Sequence, residues 1–244
     1  MKTSFLTIPL TGLWLICALV QAQPYAYKDC EFIRITFQTS QGVIDSLVPE
    51  PLTANSQGLI NLDIGLQKME IGLNYYEMIL SIPVEFNGKK GDYAAIMYLD
   101  NVTAITAGRE IWGFPKYFAK ISFRKDSSSV IANIYKDEQL LVYAHLKLGN
   151  IINNFKMPDP LYYILKYIPS AEEGFVDIKR LNSVYSSNMS FNKLQTGQAT
   201  LTMNSLPDIS VGKIPVIKIM NAAYFESNYM LGFGKTEYDY LEKK

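Results

Sequence analysis

Two stretches of strict alternation constrain this chain more than anything else in it. From Leu59 to Leu66, residues Ile60, Leu62, Ile64 and Leu66 fall on one side of an extended backbone, with Asn61, Asp63 and Gly65 on the other. From Tyr76 to Phe86, residues Met78, Leu80, Ile82 and Val84 oppose Glu77, Ser81 and Glu85. A period of two is that of a β-strand, so both stretches predict strands with one polar face. Asn87-Gly88 closes a hairpin from the second into a third apolar strand, Tyr93 to Leu99. Further strand-like runs follow the same style at Cys30 to Gln38, Val102 to Ala107, Ala119 to Arg124, Val130 to Tyr135 and Leu140 to Leu148. More come at Phe175 to Leu181, Val184 to Phe191, Ala199 to Met203 and Val216 to Met220. Polar turns such as Asp126-Ser127-Ser128-Ser129 separate them, and this spacing predicts a large antiparallel sheet that curls or closes.

Helices are few and short. Gln41 to Val48 reads as one, ended by Pro49-Glu50-Pro51, because a proline disfavours the helical conformation in the residue before it. Leu161 to Tyr167 reads as another, between Met157-Pro158-Asp159-Pro160 and Pro169, and the tail Tyr238 to Lys244 as a closing helical turn. The class is therefore β-rich α+β.

The N-terminus carries Lys2, an apolar run from Phe5 to Val20 and the small residues of Val20-Gln21-Ala22. That is the pattern of a cleavable signal peptide over residues 1–22, and the run is too short for a spanning anchor. Residues 23–244 then form a single soluble domain, secreted or periplasmic, with no membrane attachment after cleavage and a length that permits a substantial core. Cys17 leaves with the signal, so Cys30 has no partner for an intramolecular disulfide and stability rests on packing. Lysine plus arginine and aspartate plus glutamate both count 23 and are interspersed, which gives no basic face for nucleic acid. One histidine, His145 within a strand-like run, and one mature cysteine make a zinc or copper site unexpected. The chain also lacks a glycine-rich phosphate loop. The sequons at Asn101 and Asn188 fall in or near strand-like runs, where glycosylation is not expected.

One stretch suggests chemistry: Ala107-Gly108-Arg109-Glu110-Ile111-Trp112-Gly113-Phe114-Pro115-Lys116-Tyr117-Phe118-Ala119-Lys120. It sets Lys116 directly after a proline and between aromatic rings. An ordinary lysine is almost wholly protonated at pH 7, and bringing such an amine to near neutrality costs about 5.5 kcal/mol of charge desolvation. Burial among rings can supply that, and a neutral amine can attack a ketone to form a Schiff base. The plainer reading is an aromatic turn packed on the core, with the lysine snorkelling to water. The residues of this stretch alone leave both open.

Taken in order, Val48-Pro49-Glu50-Pro51-Leu52, Ile82-Pro83-Val84 with Phe86-Asn87-Gly88, Gly91-Asp92-Tyr93, Met97-Tyr98-Leu99-Asp100-Asn101, Gly108-Arg109-Glu110 and Pro115-Lys116 resemble acetoacetate decarboxylases. Leu165-Lys166, Ile168-Pro169 and Tyr238-Asp239-Tyr240-Leu241 extend the resemblance over nearly all of the mature chain. It implies a sheet closed into a cone-like barrel, a homo-oligomer and a small-molecule keto acid as substrate. It also implies that Lys116 makes the Schiff base, that Glu77 is catalytic and that Asp63 corresponds to a second acidic residue. In a closed barrel the polar strand faces that carry Glu77 and Asp63 become the lumen, where a carboxylate can handle protons.

Three departures bear on the pocket. Tyr117 stands where the family usually has a second lysine. Cys30 stands where it has an arginine that could engage the substrate carboxylate. Arg34, four residues on and on the same strand face, is the nearest substitute. Phe114 replaces a tyrosine two residues before the lysine. The reaction that the resemblance implies is loss of carbon dioxide from a β-keto acid through an iminium and an enamine, and it requires no metal or organic cofactor, in agreement with the missing phosphate loop. The alternatives are aldol or dehydratase chemistry on the same amine, and a non-catalytic exported binding module in which Lys116 is protonated or salt-bridged to Glu77.

Overall fold

The computed structural model describes residues 24–206 and 211–242. The expected signal peptide, with Cys17, lies outside the described residues. The elements are β1 (Tyr25–Gln38), α1 (Gln41–Leu47), β2 (Thr53–Ala54), β3 (Leu59–Lys68), β4 (Asn74–Phe86), β5 (Lys89–Leu99) and α2 (Val102–Ala107). A π-helical turn (Gly108–Trp112) leads into β6 (Lys116–Phe118), β7 (Lys120–Lys125), β8 (Ser129–Lys136), β9 (Gln139–Ile151) and β10 (Leu161–Pro169). The long β11 (Val176–Met203), a 3-10 turn (Val211–Lys213), β12 (Lys218–Leu231) and β13 (Lys235–Asp239) complete the fold.

The sheet closes on itself. β1 pairs antiparallel with β3 and β12, β3 with β4, and β4 with β5. From the other side β12 pairs with β11 and β11 with β10, and β10 returns to β5 in a short parallel pairing of Tyr162 with Asp92 and Tyr163 with Tyr93. Seven strands thus form a ring. The Asn87-Gly88 hairpin inside it has φ of 48° and 74° at those residues, the two positive values a type I′ turn requires. β11 is long enough to leave the ring, and its last third pairs with β9, which continues through β8 to β7 as a second layer.

That second layer decides which strand face points where. Ile33, Ile35 and Phe37 of β1, Ile60, Leu62 and Ile64 of β3 and Met78, Leu80 and Ile82 of β4 are fully buried against Val130, Ala132, Ile134, Val142, Ala144 and Leu146. Each such aliphatic side chain contributes about 1.5–3 kcal/mol of transfer free energy, so the apolar faces turn outward to this layer. The polar faces are left to the interior of the ring, where Asp63, Gln67 and Glu77 are buried.

Four expectations are corrected. Leu161–Pro169 is a strand, not a helix: Tyr162, Tyr163, Ile164 and Tyr167 are strand formers, and both edges find partners in β5 and β11. Val102–Ala107 is a helix, not a strand, because the Asn101 side chain caps it by accepting from the Ala104 N–H at 3.0 Å. The runs expected separately from Phe175 to Met203 are one strand with register shifts after Ser187 and Phe191. Part of the expected tail helix, Tyr238 and Asp239, instead belongs to β13 paired with β11.

Candidate active site

The lysine is positioned by the turn that precedes it. Gly113 N–H and Phe114 N–H both donate to the Gly108 carbonyl at 3.1 Å, closing the π-helical turn. Gly113 has φ of 90°, and a Cβ there would meet Lys166 Cβ at 2.4 Å, so both conformation and space require glycine. Lys166 Nζ donates to the Glu110 and Ile111 carbonyls at 2.5 and 3.2 Å, Trp112 Nε1 to the Gly232 carbonyl at 2.9 Å, and Asn182 Nδ2 to the Trp112 carbonyl at 3.0 Å. The turn is therefore fixed to β10, β11 and the loop before β13. β6 then runs parallel to β5 with Lys116 opposite Met97.

Lys116 points into the ring and is 7% exposed. Its Nζ lies 5.4 Å from the Phe114 ring centroid, 5.6 Å from that of Tyr75 and 3.1 Å from Glu77 Oε2. The last contact is an ion pair by distance but lacks hydrogen-bond geometry, and it leaves Glu77 Oε2 without a hydrogen-bond partner. Glu77 Oε1 accepts from Gln67 Nε2 at 3.1 Å, and Gln67 Oε1 in turn accepts from the Tyr229 hydroxyl at 2.7 Å. A carboxylate only accepts, which fixes the amide orientation and makes the phenol a donor. Tyr229 stacks on Tyr27 with ring centroids 4.5 Å apart, and the Tyr27 and Tyr75 hydroxyls are 3.3 Å apart. Burial pushes all three phenols up from their usual value, so they stay neutral.

Arg34 Nε and Nη2 donate to Asp63 Oδ1 and Oδ2, each at 2.7 Å, in a bidentate pair on the same inner face. Burial pulls the guanidinium down, but Asp63 outweighs it and holds Arg34 above its usual value. Behind this pair Asp92 accepts from Asn61 Nδ2 at 3.3 Å, its carboxyl raised chiefly by burial, with Arg34 opposing.

A cavity of about 430 Å³ joins these groups. Lys116, Glu77, Asp63, Phe114 and Arg34 all line it. Cys30 does not. It is fully buried, its Sγ accepting from the Lys68 N–H at 3.3 Å. An irregularity in β1 between Tyr27 and Cys30, with Asp29 at φ 52°, carries the strand past this point. Burial pushes the Cys30 thiol up to about 11. Its alkylation by iodoacetamide at pH 8, followed by peptide mapping, should be roughly a hundredfold slower in the folded protein than in guanidinium. Tyr117 is exposed and turned from the cavity, with the Arg109 guanidinium 5.8 Å from its ring centroid. Gln67, Tyr229 and Tyr162 also line the cavity. Gln67 lay within legible reach, since it continues the Asn61, Asp63, Gly65 alternation; Tyr229 and Tyr162 carried no signal of their own.

Residues 7–241 match the family described as Acetoacetate decarboxylase (ADC). The chain belongs to the acetoacetate decarboxylase family. The "Acetoacetate decarboxylase" of Burkholderia multivorans is 30% identical over 224 residues, covering 89% of this chain and 90% of the relative. The crystal structure of acetoacetate decarboxylase from Legionella pneumophila superposes with a TM-score of 0.82 at 22% identity, covering 91% of this chain and 90% of that one. MppR, an enduracididine biosynthesis enzyme complexed with the condensation product of pyruvate and imidazole 4-carboxaldehyde, shares the fold with a TM-score of 0.77 at 14% identity, covering 89% and 90%. Membership makes decarboxylating lyase activity on a small keto acid the activity of this chain's family.

Gly108 is the sharpest probe of the lysine's placement. A Cβ there would lie 2.6 Å from Lys116 Cδ and 2.7 Å from Cε. Gly108 itself is in ordinary right-handed helical conformation, φ −63° and ψ −39°, so alanine is conformationally free at this position. Gly108→Ala should displace the amine and lower kcat about 10²-fold, and thermal unfolding should come at a lower temperature as Lys116 loses its place beside Glu77.

Proposed function

We propose that this chain decarboxylates a β-keto acid through a Schiff base on Lys116. The observation that carries the reading is a buried amine 3.1 Å from a buried carboxylate, on the wall of one largely apolar cavity. Transfer of a proton from Lys116 to Glu77, 3.1 Å away, frees the amine as a nucleophile and leaves Glu77 as a carboxylic acid. The amine adds to the substrate ketone, and the carbinolamine loses water to give an iminium. The carbon–carbon bond to the carboxylate breaks, its electron pair moves toward the iminium nitrogen, carbon dioxide leaves and an enamine remains. Glu77 gives up its proton as the water leaves, takes another from solvent and delivers it to the enamine carbon, and hydrolysis of the new iminium frees the ketone and the amine. Arg34 uses Nε and Nη2 for Asp63. Its remaining Nη1 donors, at the cavity wall, serve the substrate carboxylate in place of the arginine that Cys30 replaces.

A second reading is favoured by one observation: both cations lining the cavity, Lys116 and Arg34, already face carboxylates, so a substrate without its own carboxylate meets a balanced site. Aldol chemistry on the same lysine needs a carbonyl beside the amine but no carboxylate on the substrate, and so fits such a site. Acetoacetate in ¹⁸O-labelled water separates the two. Decarboxylation through Lys116 gives carbon dioxide together with exchange of the ketone oxygen. Carbon dioxide without exchange would contradict the Schiff base, and exchange without carbon dioxide would favour the aldol reading.

A further inference from the structure

The cavity is larger than a small keto acid needs. Allowing roughly 30 Å³ for each water-sized group, acetoacetate fills about half of the 430 Å³. The excess volume is not spread evenly. Lys116 and Glu77 stand on β6 and β4, whereas the facing strands β11 and β12 contribute Met189, Phe191, Leu194 and Phe225. In the ring β4 is separated from β12 by β3 and β1, so these apolar side chains lie across the lumen from the amine.

They form a continuous aromatic wall. Phe32 stacks on Phe225 at 5.5 Å between centroids, Phe225 meets the edge of Phe191 at 5.8 Å, and Phe191 that of Phe155 at 5.2 Å. Phe32 is 5% exposed and Phe155 38%, so the wall runs from the interior to the surface. The segment carrying Phe155 is tied at both ends to β11. Ile152 N–H donates to the Leu194 carbonyl at 2.9 Å, and Ser186 N–H to the Pro160 carbonyl at 2.9 Å. The Asp159 carboxylate accepts from the Asn188 and Met189 N–H groups at 3.1 and 2.9 Å, across the irregular part of β11. That accounts for the Met157-Pro158-Asp159-Pro160 motif: it fastens an apolar segment to β11 rather than leading into a helix. An apolar channel kept open at the cost of burial, and continuous with a reactive group, is a binding surface.

We propose that the substrate class is a 3-oxo acid bearing a medium alkyl chain or an aryl group on the ketone, with that substituent lying along Phe32, Phe225, Phe191 and Phe155. This rests on the reading that Lys116 takes the ketone. The test is kcat/KM for 3-oxobutanoate, 3-oxohexanoate, 3-oxooctanoate and benzoylacetate with the full-length protein. Each added methylene should raise kcat/KM about threefold to fourfold, benzoylacetate should exceed 3-oxobutanoate, and Phe191→Asp should flatten the series. A flat or falling series in an enzyme that releases carbon dioxide would overturn the inference. Should no member be turned over and no adduct form on Lys116, the Schiff-base reading fails. Calorimetric binding of the corresponding 2-alkanones then decides the inference, with affinity that rises by the same factor per methylene supporting it and constant affinity overturning it.

Discussion

Lys116→Arg should leave a folded protein that does not turn over keto acids, with kcat lower by ~10⁴ or more, the scale on which covalent nucleophiles fail when replaced. Arginine keeps a cation beside Glu77 but cannot lose its proton and cannot form an imine. Stability should change little, since the counter-ion of Glu77 survives. Steady-state decarboxylation set beside thermal unfolding checks both halves. Retention of more than a hundredth of the wild-type rate would remove the amine from the mechanism.

Glu77→Gln should damage both folding and turnover. Glu77 is 3% exposed and is the carboxylate 3.1 Å from Lys116 Nζ. Deleting its charge leaves a buried ammonium unpaired, at a cost of about 3–5 kcal/mol in unfolding free energy. Turnover should fall ~10²–10⁴-fold for want of a proton acceptor and donor. Adding Lys116→Met to Glu77→Gln should restore most of the stability and none of the activity, because a neutral pair no longer needs mutual compensation. Urea unfolding of the two single variants and the double variant measures this coupling. An additive result would mean that the two groups act independently.

The sequence carried the inner and outer faces of β3 and β4 because each strand keeps a clean period of two against the second layer. Asp63 and Glu77 could be placed on one face for that reason. What alternation cannot show is which side of a closed sheet is the lumen; that depends on ring closure through β10 and β5, contacts distant in sequence and only two residue pairs long. β10 itself was misread because prolines at both ends resemble helix boundaries as much as strand boundaries. α2 was misread because its capping residue, Asn101, outweighs the β-branched residues that follow. At the site, the proline and aromatic neighbours of Lys116 leave burial and snorkelling both open, and it is the family resemblance that points to this amine. The place of Arg34 on the cavity wall follows from a four-residue offset along β1, and the hydrogen bond from Tyr229 to Gln67, beside Glu77, joins strands more than 160 residues apart. Cys30 occupies an arginine's place in the family pattern, but its side chain bonds to the Lys68 backbone and does not reach the cavity.

The departures from the family pattern are compatible with function on this geometry. Tyr117 is exposed and does not line the cavity, and the charged group beside Lys116 is the Glu77 carboxylate at 3.1 Å. Phe114 presents an apolar ring 5.4 Å from the amine.

The most direct test of the reactive amine is to mix the purified protein with acetoacetate, reduce with borohydride and locate the added mass by peptide mapping. The account predicts one adduct, of the mass of a reduced acetone imine, on Lys116, and none in Lys116→Arg. A peptide carrying unmodified Lys116, under conditions in which carbon dioxide is released, would contradict it.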